Sequence, residues 1–387
     1  MGAVSQLPRE PGHADLQPEH RLVVACAGLR LSTDQREEVV SLLGSPLNWP
    51  LVVETSRAQR VVALCYEALQ QLGPGAVPGE VMAAFRADAM AIAGRNLQLA
   101  AKLTEITDVA ERSGIALLPY KGPVLAEMAY GNLALREFVD LDFILPHRDL
   151  ASAWKLLESL GYLPRNPSLA ARGAPIPGEY VFQQEKSGVQ VELHTELTLR
   201  HFPSPPDLAP LLAAREQVTV AGRRVLTFSR EDTLTLLAVH GAKDFWAELL
   251  WVCDIAWLIE TPGFDWTAAL GRADQMACRR MVNVALLLAS ELLKATIPKP
   301  AIAATQSDAA AQAQARRLAS RIFAPHPLSR SGQIRYRMRM VEGLLPGIRY
   351  AARLATTPAA DDWNALQLPS RFSFAYALLR PLRLLRR

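Results

Sequence analysis

The chain has 387 residues, 50% hydrophobic and 21% charged, an ordinary globular composition with length for two or three domains. A net charge of +4 is too small to argue for nucleic acid as a partner, and the four cysteines, Cys26, Cys65, Cys253 and Cys278, have neither C-x-x-C spacing nor the density of a disulfide framework. They fit a reducing, cytoplasmic setting; the polar first twenty residues carry no signal-type apolar segment, and no uncharged apolar run reaches the roughly 18 residues of a membrane span.

Residues 1–20 read as a disordered leader and 21–113 as an N-terminal helical region. Leu22, Val23, Val24 and Ala27 begin one helix, and Thr33-Asp34-Gln35-Arg36-Glu37 looks like the capped start of the next. Ser56 to Leu72 carries Val62, Cys65, Leu69 and Leu72 at steps of three and four. The longest helical signal runs from Pro78 to Ser113. Val81, Phe85, Ala89, Ile92, Leu99, Leu103, Ile106 and Val109 share a stripe, Asn96 is its one polar member, and Gly114 is the stop. This region is expected to be scaffold.

Residues 114–228 read as an α/β core. Ile115 to Tyr120 is a short apolar strand whose Pro119 belongs at an end or an edge. Lys121-Gly122 forms a turn, Pro123 suits the start of a short helix to Tyr130, and Gly131 stops it. A strand, a turn and a helix start in that order suit an anionic ligand, with Lys121 adding a mobile positive charge.

Phe138 to Leu145 alternates, with Phe138, Asp140, Asp142 and Ile144 on one face and Val139, Leu141, Phe143 and Leu145 on a core face. Two aspartates about 7 Å apart on one strand face repel and call for a cation. Mg²⁺, held by one or two carboxylates plus substrate phosphates, meets that need; a solvated polar edge is the plain alternative.

Arg148 to Leu160 reads as an amphipathic helix ended by Gly161, and 166–178 as a Pro-, Gly- and Ala-rich loop, a lid between catalytic strands, with Arg165 and Arg172 facing substrate or water. Gly188 turns a hairpin between Tyr180–Gln184 and Val189–His194, which puts Gln190, Glu192 and His194 on one face. If this strand lies beside Asp140 and Asp142, Glu192 becomes a third carboxylate, and two metals can be held for in-line phosphoryl or nucleotidyl transfer. His194 and His201 are too few for zinc, which leaves His194 a supporting or packing role beside Glu192. Pro203-Ser204-Pro205-Pro206 marks a break, and Gln217 to Phe228 is a hairpin around Ala221-Gly222.

From Ser229, which has capping-box spacing, residues 229–300 turn helical. If one helix persists through Asp254, then His240, Lys243, Trp251 and Asp254 fall near one stripe at roughly 3.6 residues per turn. That stripe suits the base and phosphates of a nucleotide, and equally a buried ion pair, Lys243 being the strongest ligand candidate among them. Residues 265–295 form one or two helices, Pro298-Lys299-Pro300 closes the region, and the Ala- and Gln-rich 301–315 is a surface helix or a linker.

The rest of 301–387 is a basic helical region. Its end mixes Phe372, Phe374, Tyr376 and several leucines with arginines, which fits an anionic membrane surface, an acidic partner, or packing on the body.

Lys121-Gly122, then Arg136, then Asp140-Leu141-Asp142, a helix ending in Gly161-Tyr162, and then Val191-Glu192-Leu193-His194 together resemble the uncharacterised nucleotidyltransferase family of the DNA polymerase β-like superfamily. The resemblance covers roughly Glu80 to Pro298 and is weaker in the C-terminal Leu-Leu-Arg-Pro-Leu-Arg-Leu-Leu segment. His240-Gly241-Ala242-Lys243-Asp244-Phe245-Trp246 resembles a second block of the same family.

The resemblance implies an α+β fold: a small mixed β-sheet core flanked by N-terminal and C-terminal helical regions, with 229–300 completing the cleft. It makes Asp140 and Asp142 the paired ligands of Mg²⁺ or Mn²⁺ and Glu192 the third acid. An NTP is the co-substrate and a small molecule, peptide or protein hydroxyl the acceptor; nucleic acid is not expected, since no basic face is interleaved with aromatics near the catalytic strands. Lys121-Gly122 stands where the superfamily has a Gly-Ser phosphate turn, so no serine hydroxyl is available there. Arg136 is either a phosphate contact or an ion-pair partner. The alternative to an enzyme is a catalytically inactive, nucleotidyltransferase-like binding or regulatory module.

Overall fold

The computed structural model describes residues 16–28, 33–165, 178–195, 211, 213–324, 329–356, 375 and 378–380. The expected leader up to residue 15, Arg172 and most of its loop, His201, the Pro203–Pro206 run and most of the last seventeen residues lie outside these.

Four short helices open the fold: α1 (Pro18–Cys26), α2 (Thr33–Leu43), α3 (Trp49–Ala58) and α4 (Val62–Gln70). The helical signal from Ser56 to Leu72 is interrupted, because Arg60 takes a left-handed conformation with φ 56°. Tertiary contacts account for the break. Gln59 there accepts hydrogen bonds from the backbone N–H groups of Leu249 (2.6 Å) and Leu250 (3.3 Å), satisfying donors at the start of a distant helix. The 34-residue α5 (Gly79–Arg112) follows as its stripe predicts, and Gly114 leaves it at φ 67°. Its buried Asn96 donates to the carbonyls of Leu133 (2.6 Å) and Arg136 (2.8 Å) and so anchors the segment that leads into the acidic strand.

A five-stranded mixed sheet sits at the centre in the order β1-β2-β5-β4-β3, built from β1 (Leu118–Pro119), β2 (Asp140–Ile144), β3 (Tyr162–Pro164), β4 (Glu179–Gln184) and β5 (Gln190–His194). β1 is shorter than the apolar run suggests, and Pro119, which cannot donate to a ladder, lies on that edge strand. β2 and β5 run parallel and the other pairs antiparallel. Leu141, Phe143, Val191 and Leu193 form one core with Leu99, Leu103 and Ile106 of α5 and with Ala153 and Leu157 of α7 (Leu150–Ser159). Strict alternation fails just before β2: Phe138 is buried in that core and Val139 is 47% exposed, the reverse of the expected facing.

Between β1 and β2, α6 (Gly122–Leu125) continues as a π-helical turn, Ala126–Tyr130, and ends at Gly131 with φ 62°. The second hairpin, β6 (Arg215–Val220) and β7 (Arg223–Phe228), turns at Ala221-Gly222 as expected and is fastened to β1 by a 2.7 Å hydrogen bond from the Thr227 hydroxyl to the Pro119 carbonyl.

Ser229 caps α8 (Arg230–Lys243) by accepting from the Asp232 N–H at 3.1 Å. That helix does not persist to Asp254. Phe245 and Trp246 turn left-handed (φ 61° and 51°), and α9 (Leu249–Ile259) is a separate helix. Two helices, α10 (Trp266–Gln275) and α11 (Arg279–Leu293), fill 265–295. The Ala-rich stretch is no linker: α12 (Lys299–Ser307) and α13 (Ala309–Ala319) bury Ala301, Ala311, Ala315 and Ala319 in the helical core. α14 (Arg330–Met340) adds Tyr336 and Met340 to that core, while Ile334 and Met338, with Leu344, Leu345 and Ile348 of α15 (Leu344–Thr356), stay exposed. Among the described residues no helix is long and apolar enough to cross a membrane.

Candidate active site

The alternation of β2 and β5 puts their polar side chains on the sheet face opposite α5. In the parallel register Asp140 stands opposite Gln190, Asp142 opposite Glu192, and Ile144 opposite His194. Asp142, Glu192 and His194 each offer a ligand atom within 4.8 Å of the others. The His194 Nε2 lies 3.0 Å from Asp142 Oδ1 and 3.6 Å from Glu192 Oε2, and the Gln190 amide donates to Glu192 Oε1 at 2.7 Å. Asp140 shares the face but lies outside this close group, and among the described residues its carboxylate has no hydrogen-bond or ion-pair partner.

The Lys121-Gly122 turn closes one end. Gly122 has φ 56°, so a larger residue would be strained there, and its Cβ would rest against the Asp140 carbonyl oxygen of β2 at 3.4 Å. Lys121 Nζ sits 3.6 Å from Asp142 Oδ1 and 4.8 Å from the centre of the Tyr120 ring. The mobile charge expected there is thus a largely buried ammonium held against a carboxylate. Tyr120 also meets His194 edge to face, with ring centres 5.8 Å apart.

Burial favours the neutral form of every acid here, and the neighbours decide the outcome. For Asp142 burial is outweighed by Lys121 and then by the His194 hydrogen bond, which hold it well below the usual carboxylate range. Asp140 is raised, by burial first and then by Asp142. Glu192 is pushed up to about 7, by burial and then by Glu179, Asp142 and Asp140. Lys121 stays charged because Asp142 and its other neighbours outweigh its burial.

The end of α8 approaches Lys121 and Asp142. His240 is held well below its ordinary value by burial and then by Lys121 and Lys243, so it is a neutral imidazole. Its Nδ1 lies 3.4 Å from Asp244 Oδ2, its ring meets Trp251 edge to face at 5.0 Å, and Lys243 Nζ lies 3.9 Å from Asp244 Oδ2. The structure therefore keeps His240, Lys243 and Trp251 together and separates Asp254 from them. Asp254 is buried with Arg136, whose Nε and Nη2 donate to its two oxygens at 2.7 and 2.9 Å while the Tyr130 hydroxyl donates at 2.8 Å. Of the two roles open to Arg136, the ion pair is the one its geometry fills.

Two nearby charges were not among the site residues read from the sequence. Arg60 reaches Glu248 Oε2 at 3.4 Å and the Glu137 carbonyl at 3.5 Å, and its charge opposes the rise at Asp140. Glu179 lies opposite His194 in the β4–β5 register, its Oε2 3.9 Å from Nδ1. Neither belongs to a motif; each comes to the site only through a helix break or a strand register.

No curated protein and no solved structure matches the chain. The family model described as an uncharacterised nucleotidyltransferase does match, over residues 45–294. That span starts ahead of the region around Glu80 where the resemblance begins, taking in α3, the Arg60 break and α4, and it ends with α11, leaving the basic C-terminal region outside. It holds the whole sheet, the Lys121-Gly122 turn and the end of α8, and the chain belongs to the uncharacterised nucleotidyltransferase family.

Proposed function

We propose that the protein is a divalent-metal-dependent nucleotidyltransferase that moves a nucleoside monophosphate, or a phosphoryl group, from an NTP to a hydroxyl of a small-molecule, peptide or protein acceptor. The observation that carries this reading is the β2–β5 register, which sets Glu192 opposite Asp142 with Asp140 two residues earlier on the same face. The donor chemistry suits a divalent cation. Asp140, Asp142 and Glu192 share one sheet face, and burial and mutual repulsion raise Asp140 and Glu192. Asp140, Asp142 and Glu192 would hold Mg²⁺ or Mn²⁺, which supplies charge neutralisation for the triphosphate and acidifies an acceptor hydroxyl.

In nucleotidyl transfer the acceptor oxygen bonds to the α-phosphorus while the bond from that phosphorus to the bridging oxygen breaks. Pyrophosphate leaves, and the hydroxyl proton passes to a carboxylate or water. Lys121, Gly122 and Lys243 are the groups we assign to the phosphates. His240 and Trp251, edge to face at 5.0 Å, offer aromatic surface for the base. Residues 114–228 are the catalytic core in this reading, and 229–300 complete the cleft.

A second reading, an inactive binding or regulatory module, draws on one observation: Lys121 Nζ lies 3.6 Å from Asp142 Oδ1, where it competes with a cation. Calorimetric titration of the native protein and Asp140→Ala with ATP, CTP, GTP and UTP in Mg²⁺ separates the two. Binding weakened at least tenfold by the substitution supports the enzyme, to be followed by label transfer from the NTP to candidate acceptors. Equal and negligible binding by both proteins supports the inactive module.

A further inference from the structure

His194 stands among three carboxylates on three neighbouring strands. Its Nε2 faces Asp142 at 3.0 Å and Glu192 at 3.6 Å, while Nδ1 faces Glu179 Oε2 at 3.9 Å from the far side of the ring. The Tyr120 ring, edge to face at 5.8 Å, restrains the imidazole plane. A packing histidine has no need of carboxylates at both nitrogens. A histidine that binds a metal gains from them: a carboxylate near one ring N–H favours that tautomer, and those beside the other nitrogen are the ion's remaining donors, the ion taking the place of the 3.0 Å hydrogen bond between Nε2 and Asp142.

Spacing points the same way. Two donors each about 2.1 Å from one ion and at right angles lie about 3 Å apart. The closest pair of the Asp142, Glu192 and His194 group is at 3.0 Å, and all three ligand atoms fall within 4.8 Å. Asp140, the residue that a strand-spacing argument puts first, is not one of the three.

We propose that His194 is a metal ligand through Nε2, oriented at Nδ1 by Glu179, and that this mixed nitrogen and oxygen donor set makes the site prefer a divalent transition-metal ion to Mg²⁺. Imidazole suits first-row transition metals, whereas Mg²⁺ takes oxygen donors and keeps its water. The inference rests on the metal reading of the cleft and not on nucleotide transfer.

The test uses full-length protein without nucleotide, titrated calorimetrically with Mg²⁺, Mn²⁺ and Co²⁺ as the native chain, His194→Gln and Glu179→Gln. Pulsed electron paramagnetic resonance of the Mn²⁺ complex reads directly whether a ¹⁴N nucleus is bound. The native protein is expected to bind Co²⁺ at least tenfold more tightly than Mg²⁺ and to show ¹⁴N coupling. His194→Gln removes the coupling and weakens Co²⁺ at least tenfold with a threefold or smaller change for Mg²⁺, and Glu179→Gln weakens Co²⁺ by a factor of about 10. Absence of ¹⁴N coupling in the native complex overturns the proposal without any variant, as does equal affinity for Mg²⁺ and Co²⁺. A Mg²⁺-preferring site that still supports NTP transfer would leave the enzymatic reading standing and this one refuted.

Discussion

Lys121 Nζ lies 3.6 Å from Asp142 Oδ1, with the two side chains 12% and 6% exposed. An ammonium at that point neutralises the carboxylate best placed to meet Glu192 and His194, so it stabilises the fold and competes with any ion that binds there. Lys121→Met is expected to lower the midpoint of thermal unfolding at pH 7, since a buried Asp142 loses its main counter-charge, at a cost on the order of 3 kcal/mol. The same substitution is expected to tighten divalent-cation binding, with the cation restoring much of the lost midpoint. Calorimetry and unfolding in the presence and absence of metal measure both, and weaker metal binding by the variant would count against the competition.

Glu192 gives a pH dependence of known sign. Burial, then Glu179, Asp142 and Asp140, lift its carboxyl from 4.5 to about 7. The folded protein therefore keeps a proton that the unfolded chain has released, so stability falls as pH rises from about 4.5 through about 7 and stays lower above it. The penalty reaches at most about 3 kcal/mol. Glu192→Gln is expected to be more resistant to denaturant than the native protein at pH 8 and to match it near pH 4.5, both without metal. A difference independent of pH would show that the carboxyl does not titrate in this range.

What the sequence carried, and what it did not, follows from how local each feature is. The period-two pattern of β2 and β5 and the Gly188 turn are local, so both strands and the facing of Asp140, Asp142 and Glu192 could be read from residue types alone. Their adjacency in a mixed sheet was an expectation that the parallel register meets. The two helix breaks were invisible because neither occurs at Gly or Pro. Arg60 is left-handed where Gln59 serves the backbone of Leu249 and Leu250, and Trp246 where its ring is buried against Gly241. The pairing of Glu179 with His194 is the hairpin register carried one residue beyond the strand read from Tyr180, so it was implied by the Gly188 turn but fell just outside the expected strand.

Arg136 and Asp254 form a two-pronged ion pair, the side chains 6% and 1% exposed, that ties the entry to β2 onto α9. Breaking such a pair leaves one buried charge uncompensated. Arg136→Ala and Asp254→Ala are each expected to cost about 3–5 kcal/mol of stability, while Arg136→Met combined with Asp254→Leu costs less than either alone. Denaturant unfolding of the three variants measures this. If Arg136 instead binds phosphate, Arg136→Ala will keep its stability and lose NTP affinity alone.

Gly241 is required by shape. A Cβ at that position would lie 2.8 Å from three carbons of the Trp246 ring, which is 1% exposed and cannot withdraw into solvent. The backbone N–H of Trp246 in turn donates to the Gly241 carbonyl at 2.8 Å, which fixes the backbone that carries the ring. Gly241→Ala must therefore move the tryptophan, and with it the chain between His240 and the start of α9. Overpacking of this kind costs about 1–3 kcal/mol. Trp246→Leu removes the ring that the new methyl meets, at its own cost in lost packing. The double variant Gly241→Ala with Trp246→Leu is expected to be no less stable than Trp246→Leu alone, a non-additivity that denaturant midpoints of the two single variants and the double variant resolve. Additive losses would mean that the strain of Gly241→Ala lies elsewhere than against Trp246.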